Sequence, residues 1–350
     1  MCADAALWNR IFKESRAMKI WKYTPRDAAM VILSVAQFAT TFVLAAIWQR
    51  SSVAMRLGGG ALLVVMMTYS IIVVTHLFTH TPWFESASLN SLASMLNSMN
   101  IGQSAQAYQL THVRNHHRYN NDQKGPDGNT NDISSTYQDG VNDEHATLFH
   151  YAFVGAISTL VDVGRALASV FRLWRVGERE RKLLELAAKV PERRSRELRQ
   201  IQLDRMAHFL GISILLLISW KWVLFCYLPA FYLALALVNV QNYYEHYGAE
   251  PDARYADSVS YYGRFYNLIT FNDGYHQEHH LRPQAHWSSM PMVRREHREK
   301  LDKVERVVSP VPAIFGFLHR NRPQLHHRLP ASKVSSGSED SLSGAARGNS

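Results

Sequence analysis

Residues 207–244 read AHFLGISILLLISWKWVLFCYLPAFYLALALVNVQNYY, nearly twice the ~20 apolar residues that one membrane-spanning helix needs. The run is broken only by Trp220-Lys221-Trp222. A lysine between two tryptophans belongs at a membrane–water interface, where the rings sit at headgroup level and the ammonium reaches water. The motif therefore marks the outer turn of a helical hairpin with spans at about 204–219 and 223–244. Placing the turn at Pro229 instead would leave Lys221 in lipid at a cost of roughly 3 kcal/mol on insertion scales.

Working outward, the same pattern recurs near the N-terminus. Ala28 to Trp48 and Ala61 to Phe78 are apolar, and the polar segment Gln49 to Leu57 with Gly58-Gly59-Gly60 lies between them. This predicts a first hairpin with spans at about 28–48 and 59–79. The first block is longer than the core of a cleaved signal, so it is expected to remain attached. Residues 1–27 carry Arg10, Lys13, Arg16, Lys19, Lys22 and Arg26 among apolar residues, which reads as a basic amphipathic segment on the cytosolic face. With that end inside, the second helix of each hairpin returns to the cytosol. The expected fold is an all-α integral membrane protein with four transmembrane helices in two hairpins and a helical cytosolic cap.

The net charge of +9 over 350 residues would admit nucleic acid or an anionic membrane as partner. The basic residues flank apolar spans and form no aromatic-interleaved strand, so the lipid bilayer is the expected partner and nucleic acid is not. The two cysteines, Cys2 and Cys226, are too far apart in sequence for a Cys-x-x-Cys redox site. Electrons must then come from a separate carrier.

Between the hairpins, Ser86 to Tyr108 is too polar to face lipid and reads as interfacial or packed inward. Asn120 to Glu144 reads as a solvated loop rich in Asn, Asp and Gly. Its Asp127-to-Gln138 stretch lacks the Gly and Glu that a calcium-binding EF-hand loop requires at its sixth and twelfth positions, where Asp132 and Gln138 stand. Phe149 to Leu173 is expected to lie in the interface. Gly177 to Arg205 mixes acids and bases at helical spacing and reads as a solvated helix laced with ion pairs. A membrane domain over 28–300, a cytosolic extension over 301–330 and a disordered Ser/Gly-rich tail over 331–350 complete the chain.

Nine of the seventeen histidines fall at or just beyond the predicted cytosolic helix ends. They are His76 and His80; His112, His116 and His117; His246; and His276, His279 and His280. Residues three and four apart share a helix face, so His76 with His80, His112 with His116, and His276 with both His279 and His280 are expected to converge. Asn242 shares a face with His246. Glu245, Asp273, Glu278 and Asn115 are candidates to orient the imidazoles. The other eight histidines show no such pattern, and His326-His327 reads as surface. Nine imidazoles are too many for one metal; two ions with four or five ligands each fit. A nitrogen set without thiolate suits iron with open positions, whereas zinc, which accepts the same nitrogens, has no redox chemistry.

The boxes His76-x3-His80, His112-x3-His116-His117 and His276-x2-His279-His280 resemble those of the membrane-bound fatty acid desaturase and hydroxylase superfamily. The resemblance implies that the nine histidines ligate a non-haem diiron centre of two Fe ions and that Asn242 holds a water at the metal. It implies O2 as co-substrate and removal of hydrogen from an unactivated C–H bond. It also implies a separate electron donor, ferredoxin or cytochrome b5-like, with its reductase. Tyr275-His276-Gln277-Glu278-His279-His280 resembles lipid and sphingolipid desaturases. Asn242-Tyr243-Tyr244-Glu245-His246-Tyr247-Gly248 resembles alkane hydroxylases. The expected function is desaturation of a fatty acyl lipid chain, with hydroxylation of an alkane or acyl chain as the alternative. The expected location is the bacterial inner membrane rather than the ER, with the active site cytosolic. A metal transporter or sensor is a third reading, weakened because transport sites usually lie near the bilayer midplane.

Overall fold

The structure, a computed structural model, describes residues 20–170 and 178–327. Most of the basic N-terminal segment and the Ser/Gly-rich tail lie outside the described residues. Regular structure is helical throughout; the only β pairing among the described residues is two isolated bridges, Trp21 with Phe84 and Ser260 with Val308. The chain forms two compact units. Residues 20–118, 147–170, 178–239 and 283–289 make the first, and 119–146, 240–282 and 290–327 the second.

The first unit contains α1 (Ala28–Ile47), α2 (Val53–Tyr69), α3 (His76–His80), α4 (Ala87–Ile101), α5 (Ala105–Gln109), α6 (Gly155–Ser169), α7 (Glu178–Leu186), α8 (Pro191–Trp222) and most of α9 (Leu228–His246). Thr24 caps the entry to α1 by accepting the Arg26 N–H, with Pro25 at the first helical position. Ser52 does the same for α2 through Met55 N. One face of α1 exposes Ile32, Val35 and Val43, as a lipid-facing stripe would. The opposite face buries Ser34, Gln37 and Thr41, one turn apart. Thr41 Oγ1 donates within the helix to Gln37 O, and the other two are paired across the bundle: Ser34 Oγ donates to Asn97 Oδ1 at 2.7 Å, Gln37 Nε2 donates to Asn100 O at 2.8 Å, and Asn100 Nδ2 donates to Ser34 O at 2.9 Å. Ser70 also donates to Gln37 Oε1. Without water, each such group needs a protein partner, so α4 is polar because it is packed inward. Gly102 ends α4 at φ +69°, and a Cβ there would come within 2.4 Å of the Phe231 ring; both facts require glycine.

Four helical stretches are long and apolar enough to cross a membrane: Pro25–Arg50, Val53–His80, His150–Ser169 and Pro191–His246. The expectation of an interfacial helix near residue 150 is corrected to that extent, since 150–169 has the length and hydropathy of a span. The 56 residues of Pro191–His246 contain both predicted late spans. They are interrupted at Ser219, whose φ of −162° and ψ of 92° are non-helical, one residue before Trp220-Lys221-Trp222.

Much of the charge run over 177–205 is exposed as its spacing predicted, including Arg181, Lys182, Glu192 and Arg196, and Arg193 pairs with Glu197 one turn on, but three of its charges depart from that reading. Glu197, Asp204 and Arg205 are buried, and their partners lie mostly on other elements. Arg114 forks onto Glu197, which also accepts Ala188 N and Arg193 Nε. Arg205 pairs with Glu180 through two bonds of 2.7 and 2.8 Å. Asp204 accepts from Ser94, Ser104, Gln106 N and Gln200. Helical spacing shows which charges share a face, but not what that face packs against.

The second unit holds the end of α9, α10 (Arg264–Ile269), α11 (His276–Leu281), α12 (Met290–Glu296) and α13 (Arg298–Lys303). Its loop over 119–146, expected to be solvated, is folded on itself. Asp132, fully buried, accepts Asn121 N, Ser134 N and Ser134 Oγ. Asp122 accepts Asn131 N and Asp132 N. Burial, then neighbouring His326 and His246, pushes His145 down to about 2, so it is neutral; its Nε2 accepts Gly248 N, and its Nδ1 shares a 2.7 Å bond with Thr136 Oγ1. Arg322 donates to the carbonyls of Tyr244 and Tyr247 and fastens the segment around 322–327 to the end of α9.

Candidate metal centre

In the first unit the backbone widens before and within the histidine boxes. Ser70–Thr75 is π-helical and runs directly into His76, and Leu110–His116 is π-helical through the second box. Widened turns of this kind are frequent at functional sites. Their effect on register is direct: a π turn brings residues five apart, not four, onto one face. His112 and His117 accordingly meet with their Nε2 atoms 3.2 Å apart. Together with His76 and His80 they place one ring nitrogen each within 4.8 Å of all the others. His116, expected to join His112 by α-helical spacing, is buried but outside this group of four. The sequence does not announce the π turn, so spacing alone pairs His112 with His116, whose rings do lie 5.2 Å apart, and misses that His117 comes closer.

The second unit gathers a second group. His276 and His280, one α-helical turn apart on α11, converge with His246 at the end of α9. The Nε2 atoms of His276 and His246 are 3.4 Å apart. His279 is buried yet stands outside this group of three, so the expected triad within the third box is replaced by a pair completed from α9. Asn242 donates to Ser134 O at 3.4 Å, within the same unit.

Both groups fit metal ions. Two nitrogens bound to one ion at ~2.0–2.1 Å with a bond angle near 100° lie ~3.2 Å apart, which is the spacing of both close pairs. Neutral imidazoles present nitrogen lone pairs, and a cation among rings set this close is the natural complement.

Carboxylates hold the frame of the second group. Glu278, fully buried within α11, accepts from Ser260 Oγ at 3.0 Å and Tyr262 OH at 2.7 Å and pairs with Arg294 at 3.2 Å. The Arg294 guanidinium also lies 3.9 Å from the Tyr262 ring centroid, and burial, then the Glu278 charge, pushes the Tyr262 phenol up to about 12. Gln277 donates to Asp257 Oδ1 at 2.8 Å. On α9, Gln241 Nε2 bridges Glu245 and Asp273 with two bonds of 2.9 Å, and Glu245 Oε1 lies 3.7 Å from His276 Nδ1. Asn120 Oδ1 is 3.1 Å from His280 Nδ1. The sequence reading named Glu245, Asp273 and Glu278 but missed Asn120, Tyr262, Ser260 and Arg294, whose places come from the fold.

Glu278→Gln keeps the volume and removes the charge that three donors converge on. Metal affinity is expected to fall ~10–100-fold, the usual effect of disturbing groups that support ligands. Iron retention during dialysis against a chelator measures it; retention equal to wild type would show that α11 is held without this carboxylate.

A cavity of about 970 Å³ lies in the first unit beside α3, lined by Phe78, Leu92, Met95 and Leu203 with Arg196 and Arg199 among its polar residues. That volume is at the upper end for small-molecule sites.

The family model described as Fatty acid desaturase matches residues 51–312, well over half of the chain. Among curated proteins, the chain is 33% identical over 113 residues to the human sphingolipid delta(4)-desaturase DES1, covering 32% of this chain and 31% of that protein. It is 30% identical over 105 residues to the sphingolipid delta(4)-desaturase of Komagataella phaffii, covering 28% and 29%. It is 40% identical over 74 residues to that of Candida albicans, covering 21% and 20%. These matches span about a third or less of the relatives' own length. The extended family match agrees with the two histidine groups and the apolar helices that carry them, and the chain belongs to the fatty acid desaturase family.

Proposed function

We propose that this chain is an oxygen-dependent diiron desaturase that introduces a double bond into a long fatty acyl or related lipid chain. The nine histidines are the proposed ligands of two Fe ions, and Asn242 the holder of a water at the centre. The observation that carries the reading is the pair of all-imidazole groups, four rings from the first unit's π-distorted boxes and three more gathered in the second. Such a centre supplies, when loaded, the redox chemistry with O2 that removes hydrogen from an unactivated C–H bond. The protein's own contribution is positional. Buried carboxylates fix the rings, the polar face of α1 keeps the surrounding helices registered, and the cavity beside α3 offers an apolar wall to an aliphatic chain. Among the described residues the cysteine is Cys226, a buried free thiol, and a separate carrier and reductase are part of the proposal. The proposed setting is a membrane with the site on the cytosolic side.

Desaturation is preferred to hydroxylation because the relatives that match are named desaturases. The test is to supply perdeuterated acyl and sphingoid lipids, with O2 and a reducing system, to the purified protein and to analyse the products by mass spectrometry. Loss of two deuterons from adjacent carbons is expected. Gain of one oxygen would replace the reading by hydroxylation, and conversion without O2 would overturn both.

A further inference from the structure

Away from the nine histidines, the second unit brings another set of donors together. Glu144 Oε1 lies 2.7 Å from His327 Nε2, and Glu144 Oε2 lies 3.3 Å from His326 Nε2. The three side chains present their ligand atoms within 4.8 Å of one another. The His326 side chain is 1% exposed, whereas those of Glu144 and His327 are 51% and 53% exposed. This corrects the expectation that both histidines are surface groups. We propose that Glu144, His326 and His327 form a binding site for a divalent cation of the zinc class, distinct from the histidine boxes.

Two imidazole nitrogens and one carboxylate oxygen are the donor set of three-ligand zinc sites that keep a further position open to water. The half-exposed Glu144 and His327 leave room for that water. A plain ion pair accounts for the arrangement less well. One carboxylate compensates one imidazolium, but here two rings with centroids 4.1 Å apart share it, and a second positive charge would be repelled. Two imidazole nitrogens and one carboxylate instead match a single divalent ion.

The site is also built rather than accidental. Gly140 opens the tight turn before Glu144, where a Cβ would overlap the Glu144 carbonyl oxygen at 1.8 Å. Lys124 Nζ donates to Gly140 O at 2.7 Å and steadies the same turn. On the other side, Leu325 N donates to Gly248 O at 2.8 Å, and Gly248 at φ +83° allows the Pro323 carbonyl to approach. The His145 ring meets His326 edge-on with centroids 4.5 Å apart, but Gly248 N and Thr136 Oγ1 occupy both of its nitrogens, so it walls the site without joining it. A cation there would clasp residues 322–327 to the loop over 119–146, the loop that also carries Asn120 to His280.

The test uses the iron-loaded, full-length protein equilibrated with zinc(II), with both metals counted by mass spectrometry after removal of free ion. Wild type is expected to take up one more zinc per chain than His326→Ala/His327→Ala, with iron content the same in both. Cobalt(II) in place of zinc is expected to give the visible bands of a low-symmetry four-coordinate ion in wild type alone. Where the double variant also loses iron, Glu144→Gln, a change at a half-exposed side chain, decides the matter by losing the same zinc with iron retained. Equal zinc uptake by wild type and Glu144→Gln overturns the proposal.

Discussion

His80→Ala and His276→Ala are each expected to reduce product formation to below ~1% of wild type, a larger loss than the ~10–100-fold that follows from removing a group that merely supports a ligand. The reason is geometric. In each unit the close nitrogen pair is set by the backbone, the π-helical turn that brings His112 to His117 at 3.2 Å and the helix end that brings His246 to His276 at 3.4 Å. His80 and His276 belong to those groups, and no neighbouring side chain in either group can move into a vacated place without breaking the helix that carries it. Alanine also leaves a buried gap lined by imidazoles, where a weakly held water replaces a nitrogen ligand. Iron content separates the two variants from a general folding failure. Each is expected to retain part of the iron, because the other unit's group is untouched. Wild-type iron and activity in either variant would remove that histidine from the centre.

The contrast between His112 with His117 and His112 with His116 shows where sequence reading stops. The nine histidines were singled out from spacing and from the ends of apolar runs, because hydropathy and imidazole density are both written in the chain. Which imidazoles share a group was not found, since a π turn leaves no compositional mark and shifts the face by one residue. The third box failed in a related way. His276, His279 and His280 are close in sequence, but an α-helix offers one face to one neighbour, and His246 takes the place beside His276 and His280 that His279 was expected to fill. The helical fold was legible from Ala28 onward for a simpler reason: lipid permits few alternatives to helices with satisfied backbones. Of the polar ladder, only Asn97 and Asn100 were legible, within a stretch too polar for lipid, and their partners Ser34 and Gln37 on an apolar span needed the structure. His326 was misjudged because adjacent histidines near a chain end look like surface, and nothing local reveals that Arg322 and Leu325 pin the segment down.

Asp204→Ala is expected to destabilise the first unit by about 3–5 kcal/mol, the range seen when one partner of a buried charged network is removed. Asp204 is fully buried and holds four donors at once. Ser94, Ser104 and Gln106 N converge on Oδ2 at 2.8–3.0 Å, and Gln200 Nε2 meets Oδ1 at 2.8 Å. Those donors come from α4, the cap of α5, and α8 itself, so the carboxylate fixes three helices at one point. Alanine would leave several donors without an acceptor, each costing ~1–3 kcal/mol before relaxation, and water has no easy route to replace the lost oxygens. Asp204→Asn should cost less, since its carbonyl can keep the three-donor side and only the Gln200 bond is lost, where two N–H donors would face each other. Thermal unfolding in detergent is the measurement, with the midpoints ordered wild type, Asn, then Ala. The consequence reaches the metal centre through α5, which leads directly into the π-helical box of His112 and His116. Iron retention on warming should therefore fall in the same order. An Asp204→Ala protein that melts with wild type would mean that the helices are held by their apolar contacts alone, and that the buried carboxylate is tolerated rather than needed.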